Sequence, residues 1–238
     1  MAQRNPTLRR VGLIIFSIAI FLGFILILVR AVPDLEASMY GFILFNYPRL
    51  SSLSCPMLMT TADREPVTVK IRNPLDRTLS WYVDAQFSPN IIISDTSERF
   101  DLQPGESKVL SWDVDQANVD LGNFIFARAL ATSSSTLPKR EATCGTFVLN
   151  LPFKGGPIIF YAILILSVLG VTLGLILWSR QKDPSDPGAV STTWWMRFIT
   201  LVVTIGVIAG IFNVWFLALL MVFLTLLTTG VFLIPRKV

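Results

Sequence analysis

The chain has 238 residues, of which 53% are apolar and only 15% are charged, and its formal net charge is +4. Soluble domains usually carry about 25% charged residues. The sequence contains no histidine, which excludes Ser-His-Asp and Cys-His catalysis and histidine-ligated zinc or haem. The composition therefore favours a membrane protein and excludes the commonest hydrolase and metalloenzyme sites.

Three long stretches without charge predict the membrane-crossing helices: 11–29, 157–179 and 198–234. About 20 apolar residues in a helix cross a hydrocarbon core of about 30 Å, so the first two stretches predict one helix each. The third is nearly twice as long as one crossing needs. Its only amide is Asn213, and we expect a hairpin of two helices over 194–211 and 215–234. The sequence thus predicts four transmembrane α-helices.

The first stretch follows three arginines, as the apolar part of a signal peptide does. It is longer than the 7–15 residues of such a segment, and no small-x-small cleavage site follows it. We therefore expect an uncleaved signal-anchor helix.

Charged residues around these helices predict the orientation. Two acidic residues, Asp183 and Asp186, are outnumbered in the short flanking segments by a set of basic residues: Arg4, Arg9, Arg10, Arg180, Lys182, Arg197, Arg236 and Lys237. The positive-inside rule then places in the cytoplasm the N-terminus 1–10, the loop 180–193 and the tail 235–238. The central segment 30–156, between the first and second predicted helices, is predicted to be exoplasmic. The positive net charge is a topology signal, so we expect no nucleic-acid partner.

Both cysteines of the chain, Cys55 and Cys144, lie in the central segment. An exoplasmic location favours one disulfide between them. The alternative is two buried free thiols in a cytoplasmic domain.

Residues 55–152 have the pattern of an all-β domain. Apolar and polar residues alternate over 67–72, 81–87 and 110–114, as in half-buried strands. Turn sequences such as Pro104-Gly105 separate these segments. Short strands with turns every 8–12 residues predict a β-sandwich.

A family resemblance supports this interpretation. The Val-x-Val-x-x-x-Asn pattern over 67–73, Leu-Gln-Pro-Gly-Glu-Ser over 102–107 and Gly-Asn-Phe over 122–124 resemble bacterial immunoglobulin-like domains of envelope proteins. The resemblance covers the β-domain only. It implies an immunoglobulin-like sandwich with a binding or spacing role.

The segment 30–54 between the first helix and the β-domain is too short to cross the membrane and rich in aromatic residues: Tyr40, Phe42, Phe45 and Tyr47. Such residues favour the membrane interface or a place beneath the β-domain. Docking onto another subunit is the alternative.

Two G-x-x-x-G motifs occur in the predicted helices. They comprise Gly170 with Gly174 and Gly206 with Gly210. This spacing lets helix backbones approach closely. It predicts packing of these two helices against each other or against partner helices.

No other motif predicts chemistry. The acidic residues Asp95, Glu98 and Asp101 lack the spacing of a calcium loop, and no phosphate-binding glycine loop follows a strand. We expect no cofactor, no metal and no enzymatic activity.

The predicted function is that of a non-catalytic accessory or scaffold subunit. It would contact membrane lipids and other membrane-protein subunits, and present the immunoglobulin-like domain outside the plasma membrane. The lack of an N-x-S/T acceptor with an allowed middle residue favours a bacterial origin. One alternative is a transporter or channel component that works only as an oligomer, and another is an enzyme acting at the membrane.

Overall fold

The computed structural model describes residues 6–42, 47–89, 96–181 and 187–233. Two compact units divide the chain. The helical unit comprises Met1–Ala31 and Ile158–Val238, and the β unit comprises Val32–Pro157.

Four helices lie in the described ranges: α1 (Pro6–Met39), α2 (Gly156–Gln181), α3 (Pro187–Ile211) and α4 (Trp215–Leu233). Three contain segments long and apolar enough to cross a membrane: Pro6–Met39, Gly156–Arg180 and Val190–Ile211. The fourth apolar segment, Trp215–Gly230, is shorter. Within the described residues, three segments rather than the predicted four meet the requirements for crossing, so the predicted count of four transmembrane helices is not supported.

The connection between α3 and α4 is a Schellman turn built on Asn213. The Val214 amide donates to the Ala209 carbonyl at 2.8 Å, and the Asn213 amide donates to the Gly210 carbonyl at 3.1 Å. Asn213 itself has φ +55°, a left-handed conformation that asparagine adopts more readily than most residues. The only amide in this apolar run therefore ends one helix and allows the next to begin.

The β unit contains two described sheets. Their strands are β1 (Leu53–Ser54), β2 (Met59–Thr60), β3 (Glu65–Arg72), β4 (Leu79–Phe87), β5 (Glu98–Leu102), β6 (Ser107–Val114), β7 (Phe124–Ser133) and β8 (Arg140–Leu149). One sheet has the order β1-β3-β6 and the other the order β2-β8-β7-β4-β5.

The immunoglobulin-like sandwich predicted from the sequence is wrong. Such a fold has antiparallel sheets, whereas the five-stranded sheet is mixed, because β2 pairs with β8 in parallel. Arg49 forms a further parallel bridge with Glu141. Strands of two residues have no readable alternation, and alternation in any strand carries no information about the direction of its neighbour.

The core between the sheets follows the predicted alternation. In β3, Val67, Val69 and Ile71 are 1%, 0% and 3% exposed. They pack with apolar residues of the opposite sheet, including Ile125 and Ala129. Burial of this face, at about 25 cal/mol per Å² of apolar surface, drives the two sheets together.

The predicted disulfide between Cys55 and Cys144 is confirmed. Their Cα atoms are 6.0 Å apart, and the bond joins residues separated by 89 positions. It links the segment after β1 to β8. Closing a loop of this length stabilises the folded state by about 4–5 kcal/mol in the chain-entropy model.

Candidate functional site

The five-stranded sheet is covered on its second face by the chain itself. Whereas Ile125 and Ala127 of β7 point into the core, Phe126 between them is 0% exposed and packs with Ala37 and Phe42. The Tyr40 ring centroid lies 4.6 Å from that of Phe126. We call this set, Ala37, Tyr40, Phe42, Phe124 and Phe126, the aromatic cover.

The end of α1 meets the same face at β8. The Asp34 carboxylate accepts a hydrogen bond from the Gly145 amide at 2.9 Å, and Asp34 is 2% exposed. A Cβ on residue 145 would lie 2.1 Å from the Pro33 carbonyl oxygen, a distance that no side chain tolerates. Gly145 therefore lets the helix end lie directly on the strand.

The four aromatic residues predicted to form an interface do not all lie at one site. Tyr40 and Phe42 belong to the aromatic cover, and Tyr47 has the Lys139 ammonium 5.6 Å from its ring centroid. Phe45 lies outside the described residues. The structure thus places two of these aromatic side chains within the β unit, against its sheet.

The acidic residues singled out in the sequence do not come together as a described cluster. Glu98 pairs with Lys108 at 3.4 Å, and Asp101 accepts a hydrogen bond from the Ser80 hydroxyl. Asp95 lies outside the described residues. Over the described ranges, no three His, Cys, Asp or Glu residues are placed to hold a metal ion.

A buried ionic cluster joins three strands of the five-stranded sheet. The Arg128 guanidinium of β7 contacts the Glu141 carboxylate of β8 at 2.6 Å and the Asp84 carboxylate of β4 at 3.6 Å. The Arg128 and Glu141 side chains are 1% and 6% exposed. Since an unpaired charge at such a depth is expensive, these partners depend on one another.

The Asp63 carboxylate binds backbone amides at the start of α2. It accepts hydrogen bonds from the amides of Thr60 at 2.7 Å, Gly155 at 2.9 Å and Gly156 at 2.8 Å. Gly156 is the first residue of α2, and a Cβ there would lie 2.5 Å from the Leu58 carbonyl oxygen. The carboxylate therefore binds the N-terminus of α2, where a negative charge is favourable.

Burial and hydrogen bonding act on this carboxyl in opposite directions. Burial alone would raise the pKa of Asp63, but hydrogen bonds from the Thr60, Gly156 and Gly155 amides and from the Thr60 side chain outweigh it. They hold the pKa below its usual value, because they stabilise the ionised form.

The glycines of the two predicted packing motifs face α1. A Cβ on Gly170 or Gly174 of α2 would lie 2.7 Å from the Cβ of Ala19 or Phe16, respectively. A Cβ on Gly206 of α3 would lie 2.6 Å from Ile27, and one on Gly210 would lie 3.1 Å from Arg30. Each motif thus allows close approach to the first helix.

Arg30 is a buried polar contact of the helical unit that sequence reasoning missed. It is 2% exposed, and it donates to the Gly210 carbonyl at 3.4 Å and to the Asn213 side chain. Arg30 directly follows the uncharged stretch 11–29, and its side chain binds the turn between α3 and α4.

Two further close approaches on α1 were also missed. A Cβ on Gly12 would lie 2.9 Å from Leu177, and one on Gly23 would lie 2.7 Å from Val203. The signal was available for Gly23, because Ala19 and Gly23 have small-x-x-x-small spacing. No comparable local signal identifies the contact of Asp34 with Gly145 or those of Asp63 with Gly155 and Gly156, which are distant in sequence.

Comparison with known proteins adds no family. The sequence matches no protein-family model and no curated protein.

Replacing Glu141 with alanine should destabilise the β unit strongly. The substitution leaves the Arg128 cation buried with the more distant Asp84, and breaking a buried pair costs about 3–5 kcal/mol. The matched control is Arg64→Ala, which removes an ion pair with Asp113 whose side chains are 67% and 51% exposed. That change should cost less than about 1 kcal/mol. Thermal unfolding of the full chain in detergent measures the stability of both variants. Similar losses of stability in the two would contradict the prediction that the buried Arg128 depends on Glu141.

Asp63→Asn should destabilise the protein at neutral pH by about 1–3 kcal/mol, because the amide presents a donor to three backbone donors. The folded-state pKa of Asp63 is lowered. The carboxylate therefore stabilises the fold fully above the unfolded-state pKa of about 4. This contribution is lost as pH falls through the folded-state pKa.

The difference in unfolding midpoint between wild type and Asp63→Asn should thus be full at pH 7 and shrink below about pH 4. Asp76→Asn, at an exposed turn position, is the control for unspecific effects of removing a carboxyl group. A difference in unfolding midpoint that grows on acidification would contradict the prediction, because it would mean that the folded state raises the pKa of Asp63.

Proposed function

We propose that the protein is a non-catalytic subunit of a larger assembly in a bacterial plasma membrane, and that it presents the β unit to a partner outside the cytoplasm. The observation that carries this proposal is the amount of apolar helix beyond what anchoring needs. One transmembrane helix already anchors a domain effectively irreversibly. The described part of the chain has three helices that meet the requirements for crossing.

The second helix is the least buried of the three. Only 17% of its apolar segment is buried within the chain, compared with 33% for α1 and for α3. Exposed side chains recur along α2 at intervals of three or four residues: Ile158, Tyr161, Ile165, Leu169, Leu173 and Ile176. Positions three or four residues apart share one helix face, so this stripe is a continuous surface on which a partner helix would pack.

Charge and redox chemistry support the orientation. Basic residues concentrate in the short flanks of the helices, which favours a cytoplasmic location for those flanks. A disulfide persists in an oxidising compartment, and the β unit holds the bond between Cys55 and Cys144. Both arguments support an exoplasmic β unit.

Single cysteines introduced on opposite sides test this orientation. Val109→Cys lies on β6 at a position 58% exposed, and Arg180→Cys lies at an exposed position near the end of α2. A membrane-impermeant maleimide should label Val109→Cys in intact cells and Arg180→Cys only after permeabilisation. The opposite labelling would place the β unit in the cytoplasm.

Site-specific photo-crosslinking in native membranes tests the assembly. A benzophenone side chain at Leu169 of α2 should give a discrete crosslinked protein, and the matched control is Ile14 of α1. The two positions are 57% and 58% exposed, so exposure alone predicts equal yields.

Leu169→Trp should disturb packing against the partner and reduce the native mass of the complex while the disulfide stays formed. A monomer in native nanodiscs, with crosslinks to lipid alone, would contradict the proposal.

A further inference from the structure

A groove in the helical unit lies among α1, α3 and α4. Its volume is about 440 Å³, within the range of about 300–1,000 Å³ that holds small-molecule ligands. Most of its lining is apolar and comes from all three helices: Leu13, Ile20 and Phe24 of α1, Trp195 and Ile199 of α3, and Leu226 of α4. An occupant of this groove must therefore be largely apolar.

Four hydroxyl groups also line the groove, and each donates its hydrogen to its own helix. Ser17 donates to the Leu13 carbonyl at 2.9 Å, and Thr192 donates to the Gly188 carbonyl at 2.9 Å. On α4, Thr225 donates to Met221 at 2.7 Å and Thr229 donates to Thr225 at 2.8 Å. Because these donors are used within the helices, the hydroxyls do not select a polar ligand.

Arg10, an exposed cation of α1, precedes the groove residues of that helix in sequence. Arg10 precedes Leu13 by three residues and Ser17 by seven, which places it on the same face of α1. Arg9 is directed elsewhere, since its guanidinium carbon lies 4.5 Å from the ring centroid of Trp178 on α2. The groove therefore combines an apolar channel with the exposed cation of Arg10 on the same face of α1.

We propose that this groove binds one acyl chain of an anionic phospholipid, and that Arg10 binds the phosphate of the same lipid. The apolar lining matches a hydrocarbon chain, and the cation matches the charge of the headgroup. Basic sites between transmembrane helices on the cytoplasmic side are known places for anionic lipid headgroups. This inference does not depend on the assembly with other subunits.

Native mass spectrometry of the full-length protein, titrated with phosphatidylglycerol or phosphatidylcholine, tests the proposal. Wild type should bind phosphatidylglycerol more tightly. Arg10→Gln should weaken that binding about fivefold, the usual contribution of one arginine near an anionic lipid. Phosphatidylcholine binding should weaken less in this variant, because the choline cation already offsets the charge of its phosphate. Arg180→Gln, which removes an exposed cation near the end of α2, is the charge control and should bind as wild type does.

A second pair of variants tests the groove itself. Leu226→Trp adds a large side chain to the lining and should abolish the high-affinity phosphatidylglycerol site. Leu227→Trp is the matched control, because Leu227 is 48% exposed and does not line the groove. Equal binding of the two lipids by wild type would overturn the proposal. So would unchanged binding in Leu226→Trp, or a groove that binds no lipid and mediates self-association.

Discussion

The second face of the five-stranded sheet has to be removed from water, and the structure of the β unit depends on how this is done. A sheet with one solvated face normally carries polar residues there. Here that face carries Phe124, Phe126 and the buried side chain of Arg128. The last turns of α1 and the segment after them provide the cover, and Gly145 allows the backbone at Pro33 to lie directly against β8. A larger residue at position 145 would separate the helix end from the strand and expose the aromatic rings.

Once this face is buried, its polar groups need partners inside the β unit. Arg128 binds Glu141 and Asp84, and the Asp34 carboxylate accepts from the Gly145 amide. Such groups add less net stability than apolar residues of the same shape would. They make the native arrangement more stable than slightly shifted ones, because any shift leaves a charge unpaired. The Asp34 bond therefore holds the helix end on β8, and the Arg128 contacts hold β4, β7 and β8 together, while the apolar contacts supply most of the free energy of burial.

Local patterns in the sequence predicted the parts of the structure that depend on local physics. Alternation at Val67, Val69 and Ile71 identified a half-buried strand, and the shared segment of Cys55 and Cys144 indicated their disulfide. The immunoglobulin-like fold was wrong, because the parallel pairing of β2 depends on tertiary contacts that two residues cannot encode. The predicted fourth crossing is not among the described segments that meet the requirements for crossing. The contacts of Asp34 with Gly145 and of Asp63 with Gly155 and Gly156 were also invisible in the sequence, because they join residues about 90 or more positions apart.

The two apolar surfaces of the helical unit differ in the chemistry around them, and this difference is why we propose different occupants for them. The exposed stripe of α2 carries no charge from Ile158 to Ile176. A fluid acyl chain gains little specific contact on such a surface, whereas a second helix can interlock with ridges of side chains three and four residues apart. The groove among α1, α3 and α4 is concave, and Arg10 lies on the face of α1 that lines it. A concave channel surrounds a single chain on several sides, and a cation on the same helix face favours a lipid with a negative headgroup. Protein contact on α2 and lipid contact in the groove can therefore occur in the same molecule, because they use different helix faces.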